Sequence, residues 1–266
     1  MNEPQKPELS IITVNFGSAD KVLNLYKSIT KFPPKLSWEM IIVDNPTKKG
    51  TDGEFLTKNF AGNHQVHVIK LVKNLGYGEG NNEGVKFAAG KFLAICNPDT
   101  EVLKGTFDKL LEAISREKNV GVVVPVLKTT DGKILENCRR FPSIVSLIKR
   151  RLFKKIPFVN NFSLRSSPSK ILTDWAQGSF WVMKKDIYEK FAGFDSRFFL
   201  FMEDIDFCRR LKNAGLKTIQ ITEAVAIHSP NRLSGGFIGS AIFRKTFWIH
   251  LVSAVKYFWK WKNKKI

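Results

Sequence analysis

Short polar clusters, each set against an apolar run, carry the side chains able to do chemistry in this chain. Asn97-Pro98-Asp99-Thr100 directly follows the run 91–96, which puts the Asp99 carboxylate at the end of a strand. Mg2+ and Mn2+ take hard oxygen ligands of this kind and share them with substrate phosphates. The competing reading is a turn in which Asp99 and Thr100 cap the next helix. Asp44, in Asp44-Asn45-Pro46 after the run 39–44, also has two readings: a hydrogen-bond acceptor for a nucleobase or ribose at a sheet end, or a turn residue. Between Asn74 and Gly84, the glycines Gly76, Gly78, Gly80 and Gly84 lie between a strand and a helix, where they permit close backbone approach to a nucleotide. This is not a dinucleotide fingerprint, because residue 81 is Asn where GxGxxG needs Gly and the segment follows the third strand rather than the first. No GxxxxGKS or GxxxxGKT run occurs, which excludes a P-loop.

Glu203-Asp204-Ile205-Asp206 opens a helical pattern directly after the aromatic run 198–202. Acids at a helix start offset the macrodipole. A carboxylate beside bulky rings is also desolvated, which raises its pKa and suits a general base. His228 closes the apolar run Ala226-Ile227, where a lone histidine reads as a packed side chain before it reads as a ligand. His64, His67 and His250 carry no such case. Trp175, Gln177 and Trp181 are candidates to line an acceptor or sugar pocket, although a buried strand explains the tryptophans equally well.

Bringing these groups together requires a repeated strand-and-helix order, and the first half of the chain has one. Runs 9–16, 39–44, 66–72 and 91–96 read as strands, with helices over 20–31 and 79–89. Such units form a largely parallel sheet covered on both faces, with its ligand crevice at the carboxyl ends of the strands. Asn15, Asp44, Asn74 and Asn97 fall at four such ends. A helix over 103–117, a strand over 120–127 and a hairpin turn at Asp131-Gly132 follow. The second half returns with an apolar stretch over 175–184, a helix from 186, a helix over 203–214 closed by Gly215, and a strand over 217–221.

The 266 residues carry 43 Lys and Arg against 24 acids, a formal charge of +19, which points to an anionic partner. The excess is local: nine basic residues and no acid lie between Arg139 and Lys170, and seven with no acid between Phe237 and Ile266. The first stretch, with Pro142, Pro157 and Pro168, reads as a long loop with one short basic helix. In the second, Phe243, Phe247, Leu251, Val255 and Phe258 recur at helical spacing, giving a basic amphipathic helix suited to an anionic membrane interface. Its alternative is an aromatic face packed on the protein's own core or on a second subunit. Docking alone predicts that a chain cut after Ser234 stays folded. Three scattered cysteines suit neither a disulfide framework nor a zinc site and fit a reducing cytosol. No secretory leader or membrane span is expected, so the location expected is cytoplasmic, peripheral at the inner face of the cell membrane.

Taken in order, Ser10-Ile11-Ile12-Thr13-Val14-Asn15, Ile42-Val43-Asp44-Asn45, Asn74-Leu75-Gly76-Tyr77, Asn81-Asn82, Asn97-Pro98-Asp99-Thr100, Gly193-Phe194-Asp195, the run 199–206 and His228 resemble the family 2 glycosyltransferases, most of all their rhamnosyltransferase branch. The likeness covers about residues 8–230. It implies an α/β fold of the GT-A type, with a mostly parallel central sheet flanked by helices. It also implies transfer from a nucleotide-diphosphate sugar, dTDP-rhamnose or a UDP-sugar, to a glycan or lipid-linked acceptor, with inversion, in cell-surface polysaccharide synthesis. By the same resemblance Thr13, Asn15 and Asp44 hold the nucleoside, with Asn74, Gly76, Asn82 and Asn97 around the nucleotide. Asp99 and His228 hold Mg2+ or Mn2+, Asp204 is the catalytic base, and Glu203 stands beside it in the acceptor pocket. The family's usual DxD has Asn97 at its first position here, which removes one acid from the diphosphate site.

The organisation expected is an extension over 1–8, a nucleotide-sugar-binding half over 9–128, an acceptor and catalytic half over 129–236 with the basic loop 139–170, and the tail 237–266. Two other classes compete. A basic nucleic-acid-binding protein would use the cationic stretches but leaves the strand-end acids without a purpose, so no nucleic acid partner is expected. A sugar nucleotidyltransferase would share the nucleotide pocket.

Overall fold

β1 (Leu9–Asn15) is buried at every residue, and β2 (Trp38–Asp44) at all but its first, because both lie inside a sheet covered on two sides. Ile11, Met40 and Ile42 point into one core layer with Val22, Leu25 and Ile29 of α1 (Ala19–Lys31). Ile12, Ile41 and Val43 point into the other, with Val85 of α3 (Tyr77–Val85). The short helix α2 (Gly53–Asn59) leads into β3 (Val66–Lys70). The computed structural model describes residues 6–143, 165–167, 169–229 and 245–262.

β3, β2, β1 and β4 (Phe92–Cys96) are parallel neighbours, as the alternating pattern requires. After β5 (Thr100–Val102) and α4 (Thr106–Arg116), β6 (Val120–Lys128) turns at Gly132 into β7 (Ile134–Leu135), as expected. β8 (Cys138–Arg139) pairs with β11 (Trp175–Ala176), while β9 (Arg165–Ser167) and β10 (Lys170–Thr173) extend the far edge of the main sheet. β12 (Phe180–Lys184) sits antiparallel between β4 and β6, so the sheet is mixed, with the parallel strands β3, β2, β1 and β4 at one edge. This reversal places the start of β12 at the same end as the finish of β4, with Phe180 opposite Cys96.

α5 (Lys185–Lys190) and α6 (Glu203–Asn213) follow. The final strand, β13 (Lys217–His228), runs seven residues past the expected end at 221. An irregularity between Ile221 and Val225 interrupts its pairing with β6, and beyond it the strand pairs with β5, His228 opposite Thr100.

α7 (Lys245–Trp261) is the C-terminal helix, within the expected tail 237–266. Of that tail, 237–244, Phe243 among them, and 263–266 lie outside the described residues, as do 144–164 and 168 of the basic loop with its expected short helix. The tail is not a free appendage, as docking alone would have it. Tyr257 and Trp261 are buried against the core, and Arg209 on α6 donates to the Tyr257 hydroxyl at 3.1 Å. The expected apolar face is divided: Leu251 and Val255 point outward with Trp248, Val252 and Trp259.

Candidate active site

The carboxyl ends of β1 and β2 meet through side chains. Asn15 Nδ2 donates to Asp44 Oδ1 at 2.7 Å and to Asp52 Oδ2 at 2.9 Å, and the Thr51 hydroxyl donates to Asp44 Oδ2. The Asn15 carbonyl oxygen Oδ1 accepts from the Ser18 amide at 3.0 Å, fixing the turn into α1. Thr13 is fully buried, and its hydroxyl makes no hydrogen bond. Asp52 and Thr51 escaped the sequence reading because they lie in a loop with no periodic signal. Phe16, half exposed beside Asn15, was missed as well.

The glycine-rich segment is held by Asn45, which donates to the Gly76 carbonyl at 3.0 Å and accepts from the Leu75 amide at 2.9 Å. Asn74 Oδ1 accepts from the Gly76 amide at 2.8 Å. Gly76 has φ +85°, and a Cβ there would stand 1.9 Å from the Phe199 carbonyl oxygen, so this close approach serves the packing of 199 on 76. Asn82 bonds to the scaffold. Its Oδ1 accepts from the Tyr188 hydroxyl at 2.6 Å and the Phe194 amide at 2.9 Å, and its Nδ2 donates to the Phe194 carbonyl and to Glu79. Those four bonds use its whole capacity.

β4 ends in the Asn97–Thr100 turn. His228 Nε2 lies 3.2 Å from Asp99 Oδ1, brought there by the pairing of β13 with β5. Asn97 Oδ1 is buried and makes no hydrogen bond, and buried oxygens are left so rarely that a ligand is the natural partner. Two oxygens and an imidazole suit Mg2+ or Mn2+. Among the described residues no group of three or more His, Cys, Asp and Glu gathers as a cage, so such an ion would draw its remaining ligands from substrate phosphate and water.

On the other side stands α6. Asp204 is half-buried, its Oδ2 accepting from the Gly178 amide at 3.1 Å and its Oδ1 from the Ile205 amide at 2.8 Å. Burial pushes its carboxyl up, against the pull of those two amides. Burial, and then the neighbouring Asp204, pushes the Glu203 carboxyl well above the usual carboxylate range, and Glu203 Oε2 has no hydrogen-bond partner. The two sides are joined at the entry to β12: the Asn97 amide donates to the Ser179 carbonyl at 2.8 Å, one residue from the Gly178 amide that holds Asp204.

The tryptophans behave as core. Trp181 is fully buried among Phe194 and Phe207, with its indole N–H on the Gln177 carbonyl, so it lines no pocket. Trp175 is buried and bonded to the Arg140 carbonyl. Gln177 is exposed, adjacent to Gly178, and is the member of that trio at the rim.

A mixed, mostly parallel central sheet flanked by helices, with polar groups gathered at its strand ends, is the GT-A fold. The family described as "Glycosyl transferase family 2" matches residues 10–191, and the chain belongs to it. It is a glycosyltransferase of the rhamnosyltransferase-like branch. It is 25% identical to the N-acetylglucosaminyl-diphospho-decaprenol L-rhamnosyltransferase of Mycobacterium tuberculosis, over 83% of this chain and 76% of that protein. It is 28% identical to the rhamnosyltransferase WbbL of Escherichia coli K12, over 68% of this chain and 69% of that one. Among solved structures, GalNAc-T7 with UDP, GalNAc and Mn2+ superposes with a TM-score of 0.66 at 13% identity, over 87% of this chain and 47% of that one. Residues 1–349 of TarS from S. aureus give 0.58 at 16% identity, over 84% and 60%. These two likenesses concern the fold alone.

Proposed function

We propose that the protein transfers a sugar, with inversion, from a nucleotide-diphosphate donor to a hydroxyl of a lipid-linked glycan acceptor in cell-surface polysaccharide synthesis, working at the inner face of the cell membrane. The observation that carries the reading is the Gly178-Ser179 junction: the Ser179 carbonyl accepts from the Asn97 amide and the Gly178 amide donates to Asp204, so the Asn97–Asp99 turn and Asp204 adjoin the same two residues. Asp204 takes the proton of the acceptor hydroxyl; that oxygen bonds to the anomeric carbon as the bond to the diphosphate oxygen breaks from the opposite face. Asn15 and Asp44 orient the nucleoside. Asn97, Asp99 and His228 would hold Mg2+ or Mn2+, which supplies charge stabilisation to the leaving diphosphate. The names of the rhamnosyltransferase relatives favour dTDP-rhamnose, with a UDP-sugar as the other donor, and a diphospho-polyprenol-linked sugar as acceptor.

The outer face of α7 supports the membrane setting. Trp248, Leu251, Val252, Val255 and Trp259 are exposed along one side of a helix in an acid-free stretch with seven basic residues. No helix among the described residues is long and apolar enough to cross a membrane. The test is a thermal-shift screen over UDP, dTDP and GDP with and without Mn2+, followed by transfer to an N-acetylglucosaminyl-diphospho-polyprenol. Stabilisation by one diphosphate, and product from its sugar, is expected. No shift with any nucleotide would overturn the reading.

A further inference from the structure

The helix that presents an apolar face outward holds, with its inner face, the segment that carries the base. Asp206 is fully buried one half-turn beyond Asp204 and closes the first turn of α6 through its amide on the Met202 carbonyl at 2.9 Å. Its carboxylate is bound from α7: Lys260 Nζ lies 2.6 Å from Oδ1, and the Trp261 indole N–H donates to the same oxygen at 2.9 Å, while Arg210 donates to Oδ2. Lys260 also bridges to Asp195 at 2.7 Å, the residue that follows the Phe194 backbone held by Asn82.

Between Asp195 and Asp206 the chain is bent against its own preference. Phe201 and Met202 have φ of +68° and +70°, a conformation that non-glycine residues keep only where their surroundings impose it. Those surroundings come from α7. Ser253 donates to the Leu200 carbonyl at 2.9 Å, Lys256 donates to the Arg197 carbonyl at 2.9 Å, and the His250 ring lies 4.7 Å from the Phe201 ring. Phe201 and Met202 lead directly into the first turn of α6, so what holds them bears on where Asp204 enters the helix, its carboxylate being held by the Gly178 and Ile205 amides.

We infer that Asp206, gripped by Lys260 and Trp261, is a positioning residue for Asp204, and that the C-terminal helix is therefore part of the transfer machinery as well as its membrane-facing surface. This rests on the reading of Asp204 as the base. A buried carboxylate bound by two groups from an element some fifty residues away specifies where that element sits, which apolar contact alone does loosely. α7 reaches both ends of this segment, the Leu200 carbonyl through Ser253 and the Asp206 carboxylate through Lys260 and Trp261.

The full chain with Lys260→Met tests it, because the substitution keeps length and removes the charge. Two readouts are taken: amide hydrogen exchange over residues 199–206, and the split between kcat for transfer and donor Kd. Expected are faster exchange at 199–206 with β1 and β2 unchanged, a kcat at least tenfold lower with donor Kd within twofold of wild type, and recovery of both by Lys260→Arg. Trp261→Phe, which removes a single N–H, gives the same pattern more weakly and replaces Lys260→Met if that variant does not fold. Unchanged exchange at 199–206 overturns the inference, as does faster exchange with transfer at the wild-type rate. If wild type transfers no sugar from any donor, the glycosyl-transfer reading fails, and the exchange result still decides whether α7 sets this segment.

Discussion

Replacing Asp204 by Asn removes the base at nearly constant shape. The carboxylate accepts from two amides, Gly178 at 3.1 Å and Ile205 at 2.8 Å. An amide side chain has one acceptor oxygen, so one of those N–H groups loses its bond, at about 1–3 kcal/mol. Against this, the variant removes a charge whose burial raises its own pKa and that pushes the Glu203 carboxyl up. The two changes oppose each other, and the melting temperature should move by no more than a few degrees. General base catalysis contributes about 10²–10⁴-fold, or about 2.7–5.4 kcal/mol at 1.36 kcal/mol per tenfold. Transfer should fall by that factor while nucleotide Kd stays constant, because Asn15 and Asp44, side by side at the ends of β1 and β2, bond to each other without Asp204. The assay pairs initial rates on the lipid-linked acceptor with calorimetry of the nucleoside diphosphate. Transfer retained within about tenfold, a loss of only ~1.4 kcal/mol, would refute the assignment and turn attention to Glu203.

Other substitutions probe the remaining parts. Asp99→Ala should weaken nucleoside diphosphate binding in Mn2+ by tenfold or more, with His228→Ala weaker in effect; calorimetry showing equal affinity in the Asp99 variant rejects the metal role. Glu203 has a raised carboxyl pKa in the folded state, so the folded protein holds a proton that the unfolded chain releases, and stability falls as pH rises from the unfolded value through the folded one. Glu203→Gln should abolish that slope and raise the melting temperature more at pH 8 than at pH 4; an unchanged slope in chemical denaturation contradicts it. Gly76→Ala puts a Cβ against the Phe199 carbonyl at positive φ and should destabilise by at least about 1–3 kcal/mol, read from urea midpoints. A chain cut after Ser234 exposes Asp206 and strips its α7 partners; breaking such a buried pair costs about 3–5 kcal/mol, so the cut chain should melt well below wild type as well as lose binding to anionic vesicles.

The strand ends were legible because strands buried on both faces read as unbroken apolar runs, and the first polar residue after each marks the crevice. Asn15, Asp44 and Asn97 were found in that way. The link between His228 and Asp99 was not legible from pattern. Thr222-Glu223-Ala224 breaks the alternation, the strand resumes beyond an irregularity, and only its pairing with the three-residue β5 brings His228 beside the turn. The antiparallel placement of β12 was equally silent, since a strand's direction leaves no mark in its own residues. The partners of Asn82 were not legible, because an amide's polarity does not say whether it bonds to ligand or backbone. For Trp181 the pattern left pocket and buried strand open, and its full burial among Phe194 and Phe207 favours the strand. The two faces of α7 could not be told apart by period: Leu251 and Val255 keep the same spacing as Tyr257 and Trp261, and only the position of Asp206 decides which side turns inward.

Asn97 bears on how the proposed diphosphate site balances charge. A second acid there would stand two residues from Asp99, and the nearby cation Lys21 already faces Asp99 at 4.0 Å. Like charges that close cost several kcal/mol where water is scarce. Asparagine keeps an acceptor oxygen in place, and that oxygen is buried and without a bond. The exchange lowers the attraction of the bare protein for a divalent ion and also lowers its repulsion of a diphosphate. With Asp99 as the remaining acid, affinity for the ion depends on the phosphate oxygens that arrive with the donor, and by reciprocity the donor's affinity depends on the ion to the same degree. Asp99→Ala removes the protein's share of that coupling, which is why its effect is expected on nucleotide binding in Mn2+ and much less on nucleotide binding in its absence.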